Sequence, residues 1–167
     1  MKKLIALLAV VVLLGSFASA QDGMAKKGSW GAMTEVSGTG KNLGVSYWLA
    51  DDMSLGVNLG FKSSSPPSPA KSTSMFNIGA GIWKHMDAMG NLSPFIGGAI
   101  GIGSDNSSGT DVSSFNIAGQ MGAEYFMSKN FSVAGWLQLG FGSAGPSGST
   151  TSTISTSTGT QFTWYWN

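Results

Sequence analysis

Ser54-Leu55-Gly56-Val57-Asn58-Leu59-Gly60-Phe61 changes character at every residue. Leu55, Val57, Leu59 and Phe61 are large and apolar, while Ser54, Gly56, Asn58 and Gly60 are small or polar. A period of two marks a β-strand with one apolar face, because successive side chains leave the backbone on opposite sides. The same alternation recurs over 29–36, 43–49, 76–83, 92–103, 115–125, 131–141 and 160–166. No apolar run after Ala20 is long enough for a membrane helix, and glycine is scattered where a helix would suffer. The reading is eight strands of about nine to eleven residues, the length that crosses a bilayer at a tilt.

Alternation alone does not say whether the apolar face looks inward, as in a soluble barrel, or outward to lipid. Its only charge is Lys84, at a strand end where a long stem can reach the interface. A lysine at the bilayer midplane would cost about 2–4 kcal/mol. Aromatic residues gather at the ends of this face: Phe61, Phe76, Phe115 and Phe141 at one rim, Trp30, Tyr125, Phe131, Trp164 and Trp166 at the other. Aliphatic residues such as Val57, Ile78, Ile100, Ile117 and Leu137 fill the middle, giving two girdles around an apolar band. The opposite face is mostly Gly, Ser, Ala, Asn and Gln, which suits the narrow interior of an eight-stranded barrel. The expected fold is all-β: an eight-stranded, antiparallel, up-and-down transmembrane β-barrel. Inward Trp48, Trp83, Phe95 and Trp136 are expected to plug its lumen.

The N-terminus carries an export address. Lys2 and Lys3 precede the uncharged run 4–14 and a small-x-small end at Ala18 and Ala20. This is the layout of a secretory signal peptide, and at ~1.5 Å per residue the run is too short to span the bilayer. Cleavage is expected after Ala20, leaving a short segment over 21–28 and a barrel over 29–167. With the mature N-terminus on the periplasmic side, the connections at 37–41, 63–72, 104–111 and 143–157 fall outside, and the tight turns at 50–52, 85–91 and 127–130 fall inside. The Ser/Thr/Gly tract within 143–157 reads as a long solvated loop.

At these residues the chain resembles the small bacterial outer-membrane proteins of the eight-stranded OmpA/OmpX-like superfamily. The resemblance covers the whole mature chain. It rests on the signal peptide, on Leu92-Ser-Pro-Phe-Ile-Gly-Gly-Ala-Ile-Gly-Ile-Gly103, on Gly122-Ala-Glu-Tyr-Phe126 and on the aromatic C-terminal strand Phe162-Thr-Trp-Tyr-Trp166. It implies a home in the outer membrane, contact with outer-membrane lipid, and delivery by the barrel-assembly machinery, which reads the last strand. That signal usually ends on the aromatic residue, whereas Asn167 follows it here.

Chemistry is sparse in the sequence. The absence of cysteine excludes disulfides, thiol nucleophiles, cysteine-held metals and a lipoprotein anchor. A net charge of +1 gives no electrostatic case for nucleic acid. His85, the single histidine, is expected at the periplasmic rim, and with scattered acids it makes no metal site. Glu35 and Glu124, the inward acids, fall toward opposite strand ends and outside the ~5–9.5 Å of a glycosidase pair. They are expected to accept hydrogen bonds from Asn116, Gln120 and Gln138, with Lys62 a partner for Glu35. The glycine string 97–103 lacks the Gly-Lys-Ser/Thr of a phosphate loop. No cofactor and no catalytic, cofactor-binding or metal-ligating residue is expected. The expected role is structural or surface-interacting, through the outer connections. Three alternatives stand beside it: a narrow channel for water or small solutes, an outer-membrane lipid-modifying enzyme, and a soluble periplasmic ligand-binding barrel.

Overall fold

A computed structural model describes residues 25–37, 40–64, 73–106, 111–146 and 149–166. The expected signal peptide and its cleavage point therefore lie outside the described residues. The alternating segments form eight strands: β1 (Trp30–Ser37), β2 (Gly40–Ala50), β3 (Met53–Ser64), β4 (Thr73–His85), β5 (Leu92–Asp105), β6 (Val112–Ser128), β7 (Phe131–Gly145) and β8 (Thr151–Trp166). Each pairs antiparallel with its neighbours, and β1 also pairs with β8. Closure gives every strand a partner on both sides, as a wall expected to face lipid requires, since an open edge there has no water to turn to.

The start of β1, the end of β8 and the tight turns share one end of the barrel, here the terminal end. Asp51-Asp52 joins β2 to β3. Between β4 and β5, Met89 bridges Leu92 around Gly90, whose φ of 65° is a conformation that favours glycine. Lys129-Asn130 joins β6 to β7, and Asn130 Nδ2 donates to the Tyr165 carbonyl at 2.8 Å, tying this turn to the last strand. The strand ends Ser37 and Gly40, Ser64 and Thr73, Asp105 and Val112, and Gly145 and Thr151 lie at the other end, the loop end.

The outward face is as the alternation predicts. Leu43, Leu59, Ile100, Ile117, Leu137 and Leu139 are exposed on it. Phe61 and Phe76 are register partners toward the loop end, as Trp30 and Trp166 are at the terminal end. Trp30 packs on Tyr47 with ring centres 4.7 Å apart, and Phe131 on Trp164 at 6.1 Å. Lys84 sits at the end of β4, where its ammonium meets the Asp52 carboxylate at 2.7 Å.

Two features depart from the sequence reading. Strand lengths run from 8 residues in β1 to 17 in β6, so the wall is low at β1–β2 and tall at β6–β8. The tract 143–157 is mainly strand: β7 continues to Gly145 and β8 begins at Thr151. Threonine is β-branched and favours the extended backbone, so a Ser/Thr repeat can continue a strand without apolar residues. Its outward members Thr156, Thr158 and Thr160 interrupt the apolar band, at about 0.5–2 kcal/mol per hydroxyl on octanol-type scales. Among the described residues β8 meets β1 only over Gly159–Trp166, so Thr151–Thr158 pairs with β7 alone.

Candidate functional site: a polar cup on an aromatic floor

Inward residues divide the lumen into two halves. At the terminal end Trp48, Phe126 and Tyr165 pack together, with Trp48 and Phe126 each 1% exposed. Phe126 stacks on Tyr165 at 6.0 Å, and Trp48 lies 6.4 Å from both rings. Ala25 enters this cluster from the segment ahead of β1. That segment is tied down on both sides of Trp48: Gly28 N donates to the Trp48 carbonyl at 2.9 Å, and Trp48 N donates to the Ser29 carbonyl at 3.0 Å. Above this layer Phe95, Ala134 and Trp136 form a second cluster, with Trp83 packed against it.

Glycines make the floor possible. A Cβ on Gly81 or Gly97 would stand 2.6 and 2.5 Å from the Trp83 ring, and one on Gly159 only 2.3 Å from Trp136. The two indoles therefore lie against bare backbone, filling a barrel too narrow for a tryptophan opposite another side chain. The predicted plug of Trp48, Trp83, Phe95 and Trp136 is present. Phe126 and Tyr165 complete it. Both stand in the period-two pattern as inward positions, but a single aromatic near a strand end gives no sign of which others it will meet.

A buried polar network threads the floor. Ser54 Oγ lies 3.0 Å from His85 Nε2, and Ser93 Oγ lies 3.4 Å from His85 Nδ1. His85 Nδ1 is 3.8 Å from Glu124 Oε2. The other oxygen of Glu124 accepts hydrogen bonds from Ser132 Oγ and, at 2.7 Å, from the Tyr165 hydroxyl. The imidazole also packs on Trp48 at 4.3 Å. His85 ends β4 beside the tight turns, as expected, but its side chain is turned into the barrel and only 6% exposed. The reason is the side its strand presents: odd-numbered positions of β4 face the lumen, and the segment before β1 covers that end.

Both glutamates differ from expectation. Glu124 takes its donors from Ser132 and Tyr165 and none from the interior amides. Gln120 and Gln138 bond to each other at 2.6 Å, and Gln120 accepts from Trp83 Nε1 at 2.7 Å. Glu35 accepts from Asn42 Nδ2 at 3.3 Å, in place of Lys62. The two acids border one small cavity of about 30 Å³, because tilted strands bring residues from different distances along the chain to one level. They share no hydrogen-bond partner.

Ser54, His85 and Glu124 run in the order hydroxyl, imidazole, carboxylate, that of a nucleophile, its base and the group orienting the base. Ser54 is 6% exposed, and the cavity beside it has about the room of a single water. A substrate carbonyl has no place next to Ser54 Oγ in this packing.

The loop half is different. There the lumen opens into a cup of about 440 Å³, walled by Asn58, Asn77, Asn116, Glu35 and strand backbone, with Trp83 and Trp136 at its base. No group of three or more His, Asp or Glu able to hold a metal occurs among the described residues. Of the connections expected to carry function, 65–72, 107–110 and 147–148 lie outside the described residues.

No protein-family model matches the chain, and none of the curated proteins matches it. Solved structures do. The outer membrane protein AlkL, determined by solid-state NMR in DMPC lipid bilayers, superposes with a TM-score of 0.54 over 89% of this chain and 95% of that one, at 11% identity. The N-terminal β-barrel domain of Pseudomonas aeruginosa OprF matches 84% of this chain and all of its own at 17% identity, with a TM-score of 0.45. Neisserial surface protein A matches 82% of this chain and 90% of its own at 14% identity, with a TM-score of 0.45. The likeness to AlkL is one of fold: the chain is a closed, eight-stranded antiparallel barrel of the outer-membrane type.

Proposed function

We propose that the chain is an integral outer-membrane barrel, cut from its leader after Ala20. Its loop end faces outside, and its role is structural or one of surface contact, without catalysis or through-conduction. The observation that carries this reading is the packed terminal half, where Trp48, Phe126, Tyr165 and Ala25 form one buried cluster inside the barrel. The exposed apolar band and its aromatic rims support a lipid-facing wall over a soluble barrel. Burial of Ser54, His85 and Glu124 argues against a lipid-modifying role for them.

The test has two arms. Cell fractionation, with gel mobility before and after boiling, should find the protein in the outer membrane and shifting on heating, as closed barrels resist SDS until heated. Planar bilayers holding the folded protein should then stay silent. A soluble periplasmic protein without a heat shift would refute the membrane assignment, and steady unitary openings would refute the closed floor.

A further inference from the structure

The loop half of the lumen is built unlike the floor. In the floor Glu124 bonds to Ser132 and Tyr165 and Gln120 to Gln138 and Trp83, while Ser46 Oγ and Trp48 Nε1 are buried without a partner among the described residues. In the cup, the side-chain amides of Asn58, Asn77 and Asn116 have no hydrogen bond from any described residue. Each amide lies over a glycine of the adjacent strand. A Cβ on Gly79 would be 2.6 Å from Asn58 Oδ1, one on Gly60 would be 2.4 Å from Asn77 Oδ1, and one on Gly101 would be 2.8 Å from Asn116 Nδ2. The register runs Asn58, Gly79, Gly101, Asn116 across β3 to β6, so the two carboxamides are seated on neighbouring glycines.

The charges lining the cup are carboxylates, Glu35 and Asp105, and no lysine is among its lining residues. Inside the cup an anion would meet like charge, while Lys41 and Lys62 line the adjoining pocket at the loop end. The base is indole, since Trp83 and Trp136 both line the cup. Carboxamides that donate and accept at once, a carboxylate acceptor and an aromatic platform form the complement of vicinal hydroxyls on a ring with an apolar face. About 440 Å³ is within the ~300–1,000 Å³ of small-molecule sites, toward the lower end.

We propose that this cup is a binding site for a neutral saccharide of one or two rings, with Asn58 and Asn116, seated on Gly79 and Gly101, gripping hydroxyl pairs and with Trp83 beneath. The proposal goes beyond the role given above and needs only the folded barrel, so it stands or falls apart from membrane location.

The experiment titrates folded, detergent-solubilised protein with glucose, N-acetylglucosamine and maltose, reading binding by saturation-transfer NMR and calorimetry, with glucose 6-phosphate as the anionic control. At least one neutral sugar should bind saturably, and the phosphate ester at least tenfold more weakly. The double substitution Asn58→Ala, Asn116→Ala should weaken the neutral sugar about tenfold or more, as expected for loss of two hydrogen-bonding side chains. Trp83→Phe should weaken it also. A heat shift on gels checks that each variant is folded. Absence of saturable binding by all three neutral sugars would overturn the proposal. Binding that the folded double variant retains unchanged, or that the phosphate ester matches, would do so as well.

Discussion

The two halves of this lumen are made from similar residues and behave as different materials. In the terminal half little volume is left open: Trp48 and Phe126 are buried, Trp83 and Trp136 lie on glycine backbone, and Glu124 is tied to its donors beside a cavity of about 30 Å³. In the loop half glycine, serine and asparagine are not covered by aromatics, and their space becomes a cup. A glycine therefore has no fixed meaning in this barrel. Under an indole or a carboxamide, as at Gly159 or Gly79, it is a packing requirement, and at Gly142 it is a source of room. The chain concentrates cohesion at one end and leaves accessibility to the other.

Substitutions can break that contrast. Trp48→Ala is expected to have the largest effect, removing the centre of the terminal cluster at about 3–5 kcal/mol, read as a lower urea midpoint for the folded barrel in detergent. It should also open a leak in planar bilayers if the barrel stays closed. Glu124→Gln follows. An amide offers one acceptor oxygen where the carboxylate oxygens face Ser132, Tyr165 and His85, and it adds a donor with no assigned partner. A loss of about 1–3 kcal/mol is expected, without new conductance.

Gly159→Ala against Gly142→Ala sharpens the comparison most directly. The first places a Cβ 2.3 Å from Trp136, whereas the second finds its nearest neighbour at an ordinary 3.4 Å. Gly159→Ala should cost about 1–3 kcal/mol through overpacking. Gly142→Ala should stay within about 0.5 kcal/mol of the parent. Equal costs for the two would mean that the halves are packed alike.

The smallest effect concerns Asp52. The Lys84 ammonium, bonded to it and near in charge, holds its carboxyl below the usual aspartate range. A lowered value means that the contribution to stability is present at neutral pH and lost as pH falls through that lowered value. The pair is exposed, so Asp52→Asn should leave the neutral-pH midpoint almost unmoved and remove only a shallow acid dependence.

Much of the fold was legible because a lipid-facing strand must contrast its two faces. Leu55, Val57, Leu59 and Phe61 against Ser54, Gly56, Asn58 and Gly60 is such a contrast. Where the contrast vanished, so did the strand. Over 151–158 serine and threonine stand on both faces, and no period of two can be seen although the backbone is extended. Side-chain direction was legible as well, since Trp48, Trp83, Phe95 and Trp136 point inward as their parity requires. The stagger between strands was not. It decides that His85 reaches Ser54 and Ser93 and that Glu35 and Glu124 border one cavity, and it follows from barrel tilt, not from any local sequence pattern.

The short overlap of β1 with β8 has a consequence for the order of events in time. Adjacent hairpins bring together residues a few positions apart, whereas Trp30 and Trp166 must meet across the length of the barrel sequence. Loop entropy grows with that separation, by ~0.6 kcal/mol for each doubling, and it opposes the β1–β8 ladder more than any hairpin. That ladder is also about half the length of β8. Assembly should therefore proceed as a curling sheet of hairpins that gathers strands along the chain, with the first and last strands meeting at the end. An arrested intermediate would expose β1 on one side and the aromatic C-terminal strand on the other.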